Sequence, residues 1–164
     1  EIYTLSLHDA LPICSSFLPS DMIAAFLWAQ LEQINQIQSQ RQNVWLQYHQ
    51  QLQPLADNEK IGLLPVAFTK QHNANLFCII TQTVAERTQL IAFLKHRHIA
   101  SAFHYLSLHK SPFYARYHDN RVLSNADKFT ERLLRLPFYS ELTTEEVFQV
   151  TESINAFYSS NAHQ

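Results

Sequence analysis

Apolar positions along the chain recur at two periods, and each predicts a different element. After Ser20, the residues Ile23, Leu27, Leu31, Ile34, Val44 or Trp45, Tyr48 and Leu52 return at steps of three and four, with Gln38 and Arg41 in the same register. This spacing predicts one helix of roughly thirty residues, N-capped by Ser20 or Asp21. Its first half, with Ala24, Ala25, Phe26, Leu27 and Trp28, is apolar most of the way round and is expected to be deeply buried. Its second half is amphipathic, and Trp28 and Trp45 both fall on the side expected in the core. Such a helix suits a spine between parts of a larger body.

Pro54, Gly62 and Pro65 then punctuate a connector, and the apolar run Leu76 to Ile80 predicts a strand over Ala74–Gln82. Thr83-Val84-Ala85-Glu86 is a capping-box signature opening a helix to about Arg97, with Leu90, Ile91 and Leu94 on its apolar side. A second strand is predicted at Ile99–Phe103. Strand, helix and strand in that order favour a right-handed crossover or a split βαβ unit. His104 to Val122 is aromatic and histidine-rich without a period, as expected of a functional loop. Ser124-Asn125-Ala126-Asp127 predicts a capped helix to about Leu136, and Thr143-Thr144-Glu145-Glu146 another, with Val147, Val150, Ile154 and Phe157 as its apolar stripe.

Composition narrows the function classes. Twelve Lys and Arg against 14 Asp and Glu give a net charge of −2, so no bulk positive field would hold nucleic acid or anionic lipid. Cys14 and Cys78 are too far apart for a metal knuckle or a disulfide framework, which fits a reducing, cytoplasmic setting. Apolar stretches such as Met22–Ala29 are too short to span a bilayer, so a soluble protein is expected. The single glycine, Gly62, excludes glycine-rich phosphate loops from this stretch. Such scarcity would be odd in a complete enzyme, where catalytic loops need some residues at positive φ.

Residues 1–13 have no signal-peptide pattern and no initiating methionine. Back-translated, they resemble a sequencing-library adapter read in frame, and on that reading they carry no function. The alternative is a native amphipathic strand burying Ile2, Leu5, Leu7 and Leu11.

Candidate chemistry concentrates after the second strand. His104, Tyr105 and His109 stand where a strand end can present donors and acceptors into a cleft, although histidines there are also simple polar caps. His96, His98, His104 and His109 raise a metal site as an alternative. No acidic residue or cysteine accompanies them at ligand spacing, and none is expected. Ser15, Ser16 and Ser20 could meet a phosphate at the start of the long helix, with plain N-capping by Ser20 as the alternative. Arg132 and Arg135 read as a solvated face in preference to an anion clamp.

The segment Ser15 to Leu31, together with His72–Ile80, Phe103–His109 and Glu131 to Tyr139, resembles the DegT/StrS-type sugar aminotransferases over nearly everything after Ile13. The resemblance implies an α+β fold: the C-terminal small domain of a fold-type I PLP aminotransferase, preceded by one long spine helix. Residues 14–53 would be the end of the PLP-binding domain and the connecting helix, and 54–164 the small domain. It implies amino transfer from L-glutamate to a dTDP-linked keto-deoxysugar, on PLP held by a lysine lying upstream of Cys14, in a homodimer with shared active sites. None of this chain's lysines takes that position, so the chain alone is expected to be inactive.

By the same resemblance His104 and Tyr105 bind the sugar nucleotide, and Ser16 reaches the cofactor phosphate of a neighbouring subunit. Ser107 stands where the family's His-Tyr-x-Pro-Leu-His pattern has proline, and Leu18 where many relatives have arginine. Rival readings are another enzyme of the superfamily, including a dehydratase with histidine in place of the lysine, or a non-catalytic partner module.

Overall fold

The computed structural model describes residues 19–64 and 72–160. The readings of residues 1–13 and of Ser15, Ser16 and Leu18 lie outside them. Two compact units divide the chain, residues 1–36 and 37–164.

The first unit contains α1 (Asp21–Glu32), N-capped by Ser20, whose Oγ accepts from the Ile23 N–H at 3.4 Å. The predicted single long helix is interrupted: α1 ends at Gln33, whose N–H turns back to Gln30 and Leu31, and α2 (Ile34–Asp57) begins one residue later. Phe26, Leu27 and Trp28 are exposed, Trp28 by 67%. This corrects the expected burial of the first half of the helix. Periodicity marks which side of a helix is apolar, but a second surface must meet that side to bury it.

In the second unit α2 presents Val44, Trp45, Tyr48 and Leu52 to the core. Pro54 does not stop this helix, which runs one turn further; Glu59 then turns the chain at φ 55°, with the Lys60 N–H bonded to the Leu55 carbonyl. Four short strands follow the order β1 (Gly62–Leu63), β2 (Cys78–Ile80), β4 (Leu133–Arg135), β3 (Ala102–Phe103), all neighbours antiparallel. Gly62 pairs with Ile80 so closely that a Cβ there would lie 3.2 Å from the Ile80 Cβ.

The strands β2 and β3, joined through α3 (Val84–His96), lie on either side of β4 and are therefore parallel to each other. This is the split βαβ arrangement the sequence predicts. The strand between them was not foreseen: the helix begun near Ser124, α4 (Ser124–Arg132), stops before Leu133, and Leu133–Arg135 is extended. The cap predicted there is also absent, since Leu123 occupies the cap position and no side chain bonds to it. By contrast, both other predicted caps form. Thr83 Oγ1 accepts from the Glu86 N–H at 3.1 Å while the Glu86 carboxylate accepts the Gln82 N–H, and before α5 (Thr144–Ser160) the box is complete, with Thr143 and Glu146 bonded reciprocally at 2.9 and 3.2 Å.

Leu90 and Leu94 of α3, Val147, Val150, Ile154 and Phe157 of α5, and Ile79 and Leu134 of the sheet complete one continuous core with α2. Strand alternation puts Cys78, Arg135 and Ala102, which are cross-strand neighbours, on the other face of the sheet. That face carries the candidate site.

Candidate active-site wall

Two residues beyond Ala102, His104 stays on the non-core face while the chain leaves the sheet. Its Nε2 lies 3.4 Å from Arg135 Nη1. Because a guanidinium only donates, Nε2 is the acceptor and the proton sits on Nδ1. The His104–Tyr105 peptide is cis, and the two rings stack with centroids 4.0 Å apart. The pair divides two cavities between its members. His104 lines one of about 220 Å³ with Ser101, Ala102, Arg135 and Pro137. Tyr105 lines one of about 550 Å³ with Ser107, His109, Tyr114, Tyr117 and His118.

The loop from His104 to Leu123 is irregular apart from two single-turn helices, Leu108–Lys110 and Ala115–Tyr117, as its lack of periodicity implies. His109 is not a free site residue: its Nε2 lies 3.1 Å from Asp127 Oδ1, and Lys110 Nζ meets the same oxygen at 2.6 Å. The Lys110 hydrogen bond holds the Asp127 carboxyl below the usual carboxylate range and the lysine above its own. Asp127 therefore fastens the loop to α4; the box read at Ser124 is not made because the Asp127 N–H bonds to the Leu123 carbonyl at 3.0 Å and Ser124 is already the first helical residue. The His118 Nδ1 accepts the Asn120 N–H at 2.9 Å, so its proton lies on Nε2; the Asp119 carboxylate, 3.8 Å from Nδ1, is too distant to compete. Asn120 adopts φ 62°, which its short amide side chain tolerates without glycine.

Three of the four histidines of the metal alternative are engaged apart from one another. His98 occupies the left-handed position that ends α3, His104 turns to Arg135 and His109 to Asp127. Among the described residues no three His, Cys, Asp or Glu side chains are grouped to hold a metal ion. Cys78, beneath Arg135 on the sheet, is buried, and burial pushes its thiol up to about 11. Sequence reasoning did not place Asp127 or His118 at the candidate site, and it read Arg135 as a solvated face. Leu134-Arg135-Leu136 carried a legible signal, apolar–charged–apolar alternation before a proline, whereas nothing in the sequence distinguished His118.

Residues 14–155 match the DegT/DnrJ/EryC1/StrS aminotransferase family. The chain belongs to that family. Among solved structures it is similar to DesV from S. venezuelae, solved in complex with a ketimine intermediate (26% identity, TM-score 0.75, 83% of this chain and 36% of that one). It is also similar to PseC of Helicobacter pylori, an aminotransferase involved in pseudoaminic acid biosynthesis (19%, 0.74, 84% and 37%). NtdA of Bacillus subtilis, with bound cofactor PMP, is a further match (21%, 0.63, 72% and 27%). The chain thus spans little more than a third of the length of DesV and PseC, and its α+β fold is part of an aminotransferase fold. No helix among the described residues is long and apolar enough to cross a membrane.

Proposed function

We propose that this chain is the small-domain part of a PLP-dependent nucleotide-sugar aminotransferase and forms one wall of its active site. The complete enzyme moves an amino group from L-glutamate to a dTDP-4-keto-6-deoxyhexose, resembling the dTDP-4-amino-4,6-dideoxygalactose transaminases of enterobacterial surface-polysaccharide synthesis. It works in the cytoplasm as a homodimer with shared sites. The observation that carries this reading is the stacked His104–Tyr105 pair, held at a strand end between two cavities in a member of the family. Residues 1–13 are foreign to the functional unit, which the family match beginning at Cys14 supports.

The described residues do not themselves build a PLP site. Among the described residues no lysine lines either cavity beside the pair, and Lys110, on the same loop, is taken up by Asp127 and Glu131. When bound in the complete enzyme, PLP supplies the electron sink for amino transfer. This chain's contribution is orientation: Tyr105 offers a ring and a hydroxyl to the sugar nucleotide, and His104 offers its Nδ1 proton. Ser16 takes part in holding the cofactor phosphate of a neighbouring subunit.

The test is to extend the chain with its upstream coding sequence. The extended protein is expected to bind PLP with visible absorbance and to aminate the keto-sugar from L-glutamate, while the 164-residue chain does neither. A histidine at the upstream lysine position would identify a dehydratase instead. Substitution of His104 or Tyr105 should weaken sugar-nucleotide binding more than PLP binding; equal loss of both would make the pair structural.

A further inference from the structure

We propose that Arg135, His104 and Ser101 form an oxyanion subsite that takes the diphosphate of the nucleotide sugar. Resting on the reading above, this assigns the anchoring charge to a residue of the sheet outside the His-Tyr pair.

Among the described residues Arg135 is left without an acidic partner, unlike several other arginines of the chain that are engaged. Arg87 donates to the Thr130 carbonyl at 2.6 Å, Arg97 lies over the Phe93 ring, and Arg121 meets Asp119 at 3.3 Å. Arg135, half-buried on β4, has no carboxylate within ion-pair distance among the described residues, and its hydrogen bond there is the 3.4 Å contact to His104. A guanidinium carries five N–H donors, so most remain available, and they are arranged for bidentate binding of phosphate oxygens.

Ser101 gives an independent sign. Its Oγ is buried without any hydrogen-bond partner, and Ser101, His104 and Arg135 line the same cavity of about 220 Å³. A buried hydroxyl without a partner is unusual and calls for an acceptor or donor from outside the fold. A positive charge, an imidazole and an unused hydroxyl around one small cavity suit an oxyanion. The cavity's size fits a diphosphate better than a whole nucleotide sugar. Since His104 stacks on Tyr105, which lines the larger cavity of about 550 Å³, a ligand anchored at Arg135 can extend its sugar or base past Tyr105.

Oxyanions of three sources could enter: the sugar-nucleotide diphosphate, the carboxylates of L-glutamate and the phosphate of PLP. The experiment separates them in the extended, PLP-loaded enzyme carrying Arg135→Gln, Arg135→Lys and Ser101→Ala. Dissociation constants are measured for TDP and inorganic pyrophosphate, KM for the nucleotide sugar and for L-glutamate, and PLP occupancy by absorbance.

Arg135→Gln is expected to weaken TDP and pyrophosphate about ten- to hundredfold and to flatten the salt dependence of their binding, with glutamate KM and PLP occupancy unchanged. Arg135→Lys should recover part of the loss, because it restores charge without the planar fork. Ser101→Ala should weaken both ligands by a smaller factor and, should Arg135→Gln fail to fold, carries the test with the lysine variant. Unchanged affinity for both probes overturns the proposal, as does a loss confined to glutamate KM or to PLP occupancy. An enzyme that aminates a nucleotide sugar while Arg135→Gln is silent refutes the subsite alone. Pyrophosphate binding lost in Arg135→Gln by an enzyme that aminates no nucleotide sugar refutes the functional reading and leaves the anion subsite standing.

Discussion

Trp28 and Trp45 belong to one apolar register in the sequence, yet their environments are opposite. Trp45 is 7% exposed and stacks on His49 at 5.0 Å, with Phe77 at 5.4 Å and His72 at 4.8 Å. Trp28 is 67% exposed, its indole N–H donating to Glu32 Oε1 one turn along the same helix at 3.2 Å. The helix α2 has sheet and helix residues gathered around its apolar side, whereas α1 has no buried residue. An apolar stripe thus records a need for a partner, and tertiary structure alone says whether the partner is there.

Truncating both indoles should separate the two environments most clearly. Trp45→Ala should destabilise the 164-residue chain by about 3–5 kcal/mol in denaturant unfolding, as a cavity in a packed core does, while Trp28→Ala should change it by less than about 0.5 kcal/mol. Similar losses at the two sites would mean that α1 is covered in solution.

Within the buried region, the Tyr48 hydroxyl donates to the Pro137 carbonyl at 2.9 Å, next to the site-bearing strand. Tyr48→Phe should cost about 1 kcal/mol by the same measurement. A comparable contrast holds between caps. Thr143→Ala removes a formed box and should cost about 1 kcal/mol, whereas Ser124→Ala, where none forms, should be close to neutral.

The carboxylate of that box gives a pH test. Bonding to the Thr143 backbone N–H, its largest cause, lowers the Glu146 pKa in the folded state. Its contribution is therefore full above the unfolded value near ~4.3 and disappears as pH falls through the lower folded value. Acid unfolding of Glu146→Gln, which removes the titrating carboxylate, should show a weaker dependence on pH in that window than the parent chain. The exposed side of α1 provides the last comparison: acrylamide should quench emission in Trp45→Phe, which retains Trp28, more than in Trp28→Phe. Ile23, Phe26, Leu27 and Trp28 should also promote dye binding and association; a clean monomer that binds no dye would contradict this.

Legibility followed the range of the interactions. The α3 and α5 boundaries were readable because Thr83 with Glu86 and Thr143 with Glu146 settle them within a few residues. Where the same signature at Ser124 failed, the helix starts one residue earlier with the Asp127 N–H on the Leu123 carbonyl, while the Asp127 side chain binds His109 and Lys110 from the loop. The His104–Tyr105 pair was found through its family motif, but the cavities on either side and the Arg135 contact were not, because Arg135 was assigned to a helix face.

The apolar faces, three helix caps at Ser20, Thr83 and Thr143, the split βαβ order and the family all follow from the sequence, since these depend on spacing or on motif. Only the tertiary structure decided that Leu133–Arg135 is a strand inserted between β2 and β3, because the hydrogen bonds that extend it come from those strands. That insertion brings Arg135 from the far end of the loop to His104. Pairing across the sheet, set by backbone hydrogen bonds between segments distant in sequence, is what makes the two residues neighbours.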